Sequence, residues 1–161
     1  MVAGSTAVEI VSAVEAKRLW NAVVKNAQTL FPKAAPQVFS SITTLSGNGG
    51  VGTINQVNFT PGNNEFSFVK ERVDEMDEDK MVYTVSQLEG GMVGKTFCSV
   101  KSELKFRANT EGGCVITWTS YFDTLPSVNP DQTKAEKVKT SIVALFKKVD
   151  EYLVSNPTLY S

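Results

Sequence analysis

The sequence predicts an α+β domain in which an antiparallel sheet of seven strands packs against a long C-terminal helix. Between about Val38 and Phe122, six short alternating segments are separated by turn signals at regular spacing, a pattern typical of antiparallel pairing. From about Pro130 to Val154, apolar residues recur at intervals of three and four, as they do on one face of a helix. Such a face must be buried against another layer, and the sheet supplies that layer.

Composition limits the classes of function. The chain has 161 residues, which we expect to form one domain, residues 1–161, and its hydrophobic content of 42% and charged content of 20% are ordinary for a globular protein. A net charge of -1 argues against nucleic-acid binding through a broadly basic surface. No apolar run approaches the roughly 18 residues that span a bilayer, and the first residues lack the features of a signal peptide. We therefore expect a cytoplasmic monomer with no membrane span.

The absence of histidine restricts the chemistry further. It removes Ser-His-Asp and Cys-His catalysis and histidine-ligated zinc. Catalysis would have to depend on carboxylates, lysines, tyrosines or a cysteine with a shifted pKa. The two cysteines, Cys98 and Cys114, show no metal or redox spacing, so we expect half-buried free thiols in a reducing compartment, no metal and no cofactor.

The N-terminal third predicts a strand followed by two short helices. Residues 7–11 form the centre of a strand over residues 2–11. Ser12 and Glu15 match a capping box at the start of the first helix. The second helix covers residues 28–33 and ends before Pro36. The apolar stripe of the first helix consists of Ala16, Leu19, Trp20 and Val23.

The glycine-rich run of residues 47–53 is predicted to be a hairpin turn. A phosphate-binding P-loop needs lysine and Ser/Thr directly after its last glycine, whereas Gly52 is followed by Thr53-Ile54-Asn55. The alternating residues that follow predict a strand, and a dinucleotide-binding loop would need a helix there. Four further turns are predicted at residues 61–64, 77–80, 89–91 and 109–113.

The last helix has clear signals at both ends. Asn129-Pro130-Asp131-Gln132 combines an N-cap residue, proline at the first helical position and a capping-box glutamine, and Asn156-Pro157 ends the helix. Phe146 and Leu153 widen its apolar stripe, which consists of Ala135, Val138, Ile142, Leu145, Val149 and Tyr152.

The strand faces leave two interpretations open. Phe66, Phe68, Lys70 and Arg72 share one face, and a later strand alternates the series Val115, Thr117, Thr119, Tyr121 with the series Ile116, Trp118, Ser120, Phe122. A dry core is more uniformly aliphatic, because each buried polar group needs a partner. A mixed lining is typical of a pocket for an amphipathic small molecule. The alternative is a slightly polar core, or the opposite face turned inward.

Several motifs together resemble the Bet v 1 family, the plant pathogenesis-related proteins of class ten. They occur in the family's order along essentially the whole chain: Leu30-Phe31-Pro32-Lys33, residues 47–54, residues 69–74, Glu89-Gly90-Gly91 and Tyr152-Leu153. The resemblance implies a seven-stranded sheet that grips the last helix, with two short helices closing one end. It also implies an internal cavity for flavonoids, cytokinins, sterols or alkaloid precursors.

The resemblance also implies which residues line that cavity. We expect Arg72, Tyr83 and two threonines to orient a ligand, and the aromatic members to stack on planar rings. The full predicted lining is Val23, Phe31, Phe39, Val57, Phe59, Phe66, Phe68, Arg72, Tyr83, Val85, Val100, Leu104, Thr117, Thr119, Ile142 and Leu145.

Three other activities of related proteins fit the residues less well. A ribonuclease activity assigned to the family rests on a lysine, two glutamates and a tyrosine, where this chain has Asn55, Cys98, Asp150 and Tyr152. The gate and latch of the abscisic-acid receptors are missing. An enzyme similar to norcoclaurine synthase would have to use Lys70, Tyr83 or a carboxylate such as Glu71. We therefore expect a defence-related carrier of small amphipathic molecules without a cofactor, with the enzyme as the alternative and the ribonuclease as a weaker one.

Overall fold

The fold is described from a computed structural model, which covers residues 2–62, 66–127 and 132–161, with the side chains of Val2 and residues 132–135 left aside. Seven strands and three α-helices follow one another, and a π-helical turn, Asn21–Lys25, joins the first two helices. Their bounds are β1 Val2–Ser12, α1 Ala16–Trp20, α2 Ala27–Ala34, β2 Phe39–Ser46, β3 Ile54–Phe59, β4 Phe68–Asp77, β5 Val82–Gly90, β6 Phe97–Ala108, β7 Cys114–Thr124 and α3 Gln132–Ser155.

All seven strands belong to one antiparallel sheet in the order β1-β7-β6-β5-β4-β3-β2. The predicted α+β class and the number of strands are confirmed. Consecutive strands β1 and β2 lie at opposite edges of the sheet, so α1, the π-helical turn and α2 connect one edge to the other. Short turns join β2 through β7, because each of these strands pairs with the next along the chain.

The apolar core lies between the sheet and the helices, near α1 and the C-terminal half of α3. Trp20 is fully buried, and its ring meets Phe106 edge-on at 5.4 Å between centroids. Trp118 of β7 meets Phe146 of α3 in the same way at 6.0 Å. The predicted stripe of the first helix is confirmed, since Ala16, Leu19, Trp20 and Val23 are each exposed by 5% or less.

The predicted capping box at Ser12 is wrong. Ser12 ends β1, and α1 starts after Glu15, whose side chain makes no capping hydrogen bond. The Ser12 hydroxyl donates instead to Asp150 Oδ1 at 2.6 Å and accepts a hydrogen bond from the Val14 N–H at 3.0 Å. A long-range acceptor on α3 has therefore replaced the local partner that the sequence pattern offered.

Arg18 ties the C-terminal end of the chain to α1. Its guanidinium donates to the carbonyl oxygens of Leu153 at 2.8 Å, Asn156 at 2.7 Å and Leu159 at 2.9 Å. The last carbonyls of a helix have no partner within the helix, and a cation near them also interacts favourably with the helix dipole. Arg18 thus supplies both donors and charge where α3 ends.

The buried stripe of α3 is rotated from the predicted one. Phe146, Val149 and Leu153 are at most 1% exposed, whereas Val138 is 41% exposed. Ile142, Leu145 and Tyr152 are partly buried. The expected packing of Val138 is therefore wrong. Ala135 and the predicted caps at 129–131, like the turn residues Asn63 and Asn64, lie outside the described residues.

The glycine run forms the β2–β3 hairpin turn, as predicted. Gly47 has a φ of 98°, and a Cβ there would stand 2.7 Å from the Thr53 backbone, so a larger residue would clash. Thr53 is 1% exposed, and its hydroxyl accepts a hydrogen bond from the Gly49 N–H. The loop is held by its own contacts rather than shaped around a phosphate.

Candidate functional site

The side of the sheet that faces α3 is identified by β7. Ile116 is fully buried, and Trp118 contacts Phe146 on α3. Because side chains alternate along a strand, Ser120 and Phe122 share this inner face, and Thr117 and Thr119 point to the outer face. The predicted inward orientation of Thr117 and Thr119 is therefore wrong. A shift of one residue in the assigned phase exchanges the two faces of a strand completely.

On β4, too, the face that we predicted to point inward is the outer one. Val69 and Val73 are buried on the inner face, and Glu71 lies between them. Arg72 lies on the outer face, where it forms an ion pair with Asp74 at 2.8 Å and its side chain is 47% exposed. Arg72 does not line the interior.

Two further residues that we grouped with Arg72 share its outer face. Lys70 forms an ion pair with Glu89 at 3.0 Å, and its ammonium lies 5.9 Å from the centre of the Phe68 ring. Phe68 and Lys70 therefore belong to the surface of the sheet. Phe66, just before β4, is partly buried with the Lys95 ammonium 5.3 Å from its ring centre.

The other predicted lining residues lie at inner or partly buried positions. The three rings of Phe31, Phe39 and Phe59 form a chain, with centroids 5.3 and 5.8 Å apart. Half-buried positions are Tyr83, Val100, Ile142 and Leu145, and buried ones are Val23, Val57, Val85 and Leu104.

A polar row crosses the inner face of β2 to β5. The strand register places Thr44, Asn55, Glu71 and Gln87 side by side on β2 to β5; these four residues are called the polar row below. The register continues the line through Val100, Phe122 and Gly4. Thr44 donates to Asn55 Oδ1 at 2.9 Å and accepts from Gln28 of α2.

The adjacent line of inner-face positions carries hydroxyl groups. Ser102, Ser120 and Thr6 are neighbours in the register of β6, β7 and β1. Within the described part of the chain, none of these three hydroxyls has a hydrogen-bond partner, and neither do the Gln87 amide and the Tyr83 hydroxyl. Polar groups turned toward an interior normally have partners. These inner-face groups are available to a bound molecule.

Glu71 and Tyr83 are ionisable side chains of this inner face. Burial raises the pKa of Glu71 to about 7. Burial, and secondly the negative charge of Glu71, raise the pKa of Tyr83 far above its ordinary value. Tyr83 is therefore a neutral hydrogen-bond donor at physiological pH, and Glu71 changes its charge near neutrality.

The expectation that both cysteines are half-buried is wrong. Cys98 is exposed and Cys114 is buried. Burial raises the pKa of the Cys114 thiol to about 11, so this thiol is protonated and unreactive at neutral pH. Among the described residues, no group of three or more His, Cys, Asp and Glu side chains is placed to hold a metal ion.

The sequence prediction missed Gln87, Ser102, Ser120 and Trp118, and it named Glu71 only as a proton-transfer candidate. A signal for the correct face was present in β4. Val69 and Val73 are apolar and alternate with Lys70 and Arg72, so the apolar positions indicate the inner face and place Glu71 there.

The fold is an antiparallel sheet whose partly polar inner face lies toward a C-terminal helix. A model of the Pathogenesis-related protein Bet v 1 family matches residues 1–156. The chain belongs to this family.

Curated relatives agree with this assignment over most of the chain. Major pollen allergen Aln g 1 from Alnus glutinosa is 38% identical over 155 residues, which is 95% of both chains. Major strawberry allergen Fra a 1.08 from Fragaria ananassa is 34% identical over 153 residues, again 95% of both.

Solved structures show the same fold. Ara h 8.0201 superposes with a TM-score of 0.81 at 25% identity, over 96% of this chain and 99% of that one. Norcoclaurine synthase from Thalictrum flavum superposes with a TM-score of 0.77 at 20% identity, over 95% of this chain and 87% of that enzyme. None of the helices in the described ranges is long and apolar enough to cross a membrane.

Proposed function

We propose that this chain binds amphipathic plant metabolites between the inner face of the sheet and α3, and stores or delivers them. The observation that carries the proposal is the set of unpartnered polar groups on a largely apolar inner face. Gln87, Ser102 and Ser120 would orient a ligand, because their polar groups have no hydrogen-bond partner in the described part of the chain. Each hydrogen bond that a ligand makes to them would contribute about 0.5–1.5 kcal/mol.

The apolar part of the same face supports ligands with rings. Phe122 lies over Gly4, where a Cβ would stand 2.8 Å from the ring, and the ring of Phe97 is 4.9 Å from that of Phe122. Trp118 and Tyr83 add further aromatic surface. Aromatic side chains supply large contact areas to planar molecules without selecting one ring system. Flavonoids, cytokinins and sterols are the classes that we propose.

Titration with a flavonoid, a cytokinin and the polarity-sensitive dye ANS tests the proposal. We expect at least one of them to bind with one-to-one stoichiometry and without unfolding the protein. Failure of every compound to bind the folded chain would contradict the proposed function.

Substitutions at two neighbouring residues distinguish ligand binding at the inner face from ligand binding elsewhere. Ser120→Phe adds a ring to the inner face, and Thr119→Phe adds the same ring to the outer face. We expect Ser120→Phe to weaken ligand binding by about tenfold or more, since overpacking costs about 1–3 kcal/mol. Thr119→Phe should bind as the wild type does. Circular dichroism of both variants checks that they fold, and equal binding by the two would place the ligand outside this face.

The iminium route of the enzyme alternative and the ribonuclease hypothesis each lose a residue on which they depend. An enzyme forming an iminium would need an interior lysine, whereas Lys70 lies on the outer face in an ion pair with Glu89. The ribonuclease hypothesis needs Asp150, whose carboxylate accepts hydrogen bonds from the Ser12 hydroxyl and the Ala13 N–H. These contacts give Asp150 a structural role.

We further propose that the protein acts as a monomer in the cytoplasm, in plant defence. The free thiol of Cys114 supports a reducing compartment. The description of the family as pathogenesis-related supports the defence role. Size-exclusion chromatography and fractionation of the source tissue test the oligomeric state and the compartment.

A further inference from the structure

Gly4 is a glycine inside a strand whose backbone does not require one. It belongs to β1, and its φ is not positive, unlike the φ angles of the turn glycines Gly47 and Gly90. A glycine within a strand weakens the strand, because it has no side chain to pack and the most backbone freedom to lose. It often marks the close approach of another group. The structural reason for glycine at this position is therefore the space that it leaves.

The ring of Phe122 fills that space. Gly4 pairs with Phe122 in the register of β1 and β7, and Phe122 pairs with Val100 of β6 on its other side. A Cβ on Gly4 would stand 2.8 Å from Cε2 and 3.0 Å from Cζ of the ring. These distances are well inside the roughly 3.5 Å at which non-bonded carbon atoms attract each other most. The tip of the Phe122 ring therefore lies over β1, away from Val100.

The neighbours of Phe122 determine where its ring moves when the space over Gly4 is filled. The ring of Phe97 lies 4.9 Å from that of Phe122, centroid to centroid, on the side toward the end of β7. Movement in that direction is blocked. A displaced ring turns instead toward Val100, which is the neighbour of Gln87 in the polar row. The displaced ring would thus cover part of the inner face that we propose for the ligand.

We propose that Gly4 is a positioning residue that determines the size of the ligand, because it keeps the Phe122 ring over β1 and leaves the inner face beside Val100 open. This inference rests on the ligand-binding function proposed above and adds the residue that limits ligand size. Gly4 acts through Phe122 and not through a contact of its own with the ligand. An alanine at this position should close part of the inner face without disrupting the fold, since the atoms that must move are the tip of a flexible side chain.

Two probes that differ by one ring test the proposal. Chromone is the bicyclic part of flavone, and flavone carries a phenyl ring in addition. Titrations followed by tryptophan fluorescence compare the wild type with Gly4→Ala. The variant should bind flavone about tenfold or more weakly and chromone within about twofold of the wild type, because overpacking excludes the larger molecule first. An unchanged affinity for flavone, or equal losses for the two probes, would overturn the proposal.

Two further substitutions assign the loss to the Phe122 ring. In the Phe122→Ala background, Gly4→Ala should change the flavone affinity by less than about twofold, because the ring that alanine displaces is absent and the coupling between the two sites is lost. Ser5→Ala, on the exposed outer face of the same strand, is the matched control and should leave both affinities unchanged. A loss of flavone affinity that is as large without the ring as with it would overturn the role of Phe122.

The position of the ring is also measurable without any ligand. In the wild type, a hydrogen of Gly4 takes the place of the Cβ, so NMR should show contacts between the Gly4 α protons and the Phe122 ring. In Gly4→Ala the ring contacts should move to Val100, while the urea midpoint stays close to that of the wild type. A ring that keeps its position, or a variant that does not fold, would overturn the proposal.

The outcomes also separate this inference from the proposed function. Flavone binding to the wild type that Gly4→Ala does not weaken contradicts the role of Gly4 alone. Absence of binding by flavone, chromone and ANS contradicts both.

Discussion

At the scale of single residues, Glu71 makes stability depend on pH. Burial raises its pKa in the folded protein from an ordinary 4.5 to about 7, so the folded state holds this proton more strongly than the unfolded chain does. The stabilisation that results is fully present below about pH 4.5 and is lost as the pH rises through 7. Above neutrality, the folded protein contains an ionised interior carboxylate without a described partner.

Replacing this one carboxyl tests that dependence. Glu71→Gln should raise the free energy of unfolding relative to the wild type at pH 8 by about 3 kcal/mol, and the difference should shrink toward pH 5, because a pKa unit corresponds to about 1.4 kcal/mol. Urea denaturation at a series of pH values measures it. The outer-face variant Glu89→Gln is the control, and a difference that does not change with pH would contradict the burial of Glu71.

At the scale of elements, β7 separates the two faces of the sheet. Ile116 is fully buried, and its neighbour Thr117 lies on the outer face. Ile116→Ala should destabilise the protein by about 3 kcal/mol, since it leaves a cavity in the core. Thr117→Ala should cost less than about 1 kcal/mol. Chemical denaturation of the two variants compares them, and similar costs would show that the face assignment is wrong.

A second prediction at this scale concerns the end of α3. Arg18→Ala removes three hydrogen bonds to the carbonyls of Leu153, Asn156 and Leu159. We expect a loss of about 2 kcal/mol, within the range of hydrogen bonds to charged groups. Hydrogen exchange of the amides after Leu153 should accelerate most. Lys17→Ala, on an exposed neighbour, is the matched control, and equal effects would contradict the role of Arg18.

At the scale of the whole molecule, the burial of α3 differs between its two ends. Near the end of β1, Phe146, Val149 and Leu153 are at most 1% exposed and pack into the core. Toward the start of α3, Ile142 and Leu145 are partly exposed and Val138 is 41% exposed. None of the four residues of the polar row belongs to this core. The region proposed to bind a ligand therefore differs from the packed core that stabilises the fold.

Ligand binding should accordingly stabilise the whole fold. A ligand at about 100 times its Kd adds about 2.7 kcal/mol, which for a domain of this size raises Tm by roughly 5–10 °C. Thermal unfolding followed by circular dichroism, with and without a flavonoid that binds, measures the shift. The variant Ser120→Phe should show a much smaller shift, and an unchanged shift in that variant would place the ligand elsewhere.

The sequence predicted correctly those structural features whose signals lie within a few neighbouring residues of the chain. The turns, the seven strands and the long final helix follow from residue patterns a few positions long, and the family motifs predicted the membership that the comparisons show. The stripe of α1 was also predictable, because Leu19 and Trp20 have no polar competitor on that face. The patterns failed at Ser12, whose hydroxyl bonds to Asp150, 138 residues away.

The sequence by itself therefore determined the elements, their order and the family of this protein. Only the tertiary structure decided which face of each strand points inward. It places Glu71 and Ser120 on the inner face, where we had predicted Arg72, Thr117 and Thr119. The physical reason is that alternation determines which residues share a face but not which face is buried. That choice is made by packing against α3, where Trp118 meets Phe146, and by ion pairs such as that of Arg72 with Asp74 on the outer face.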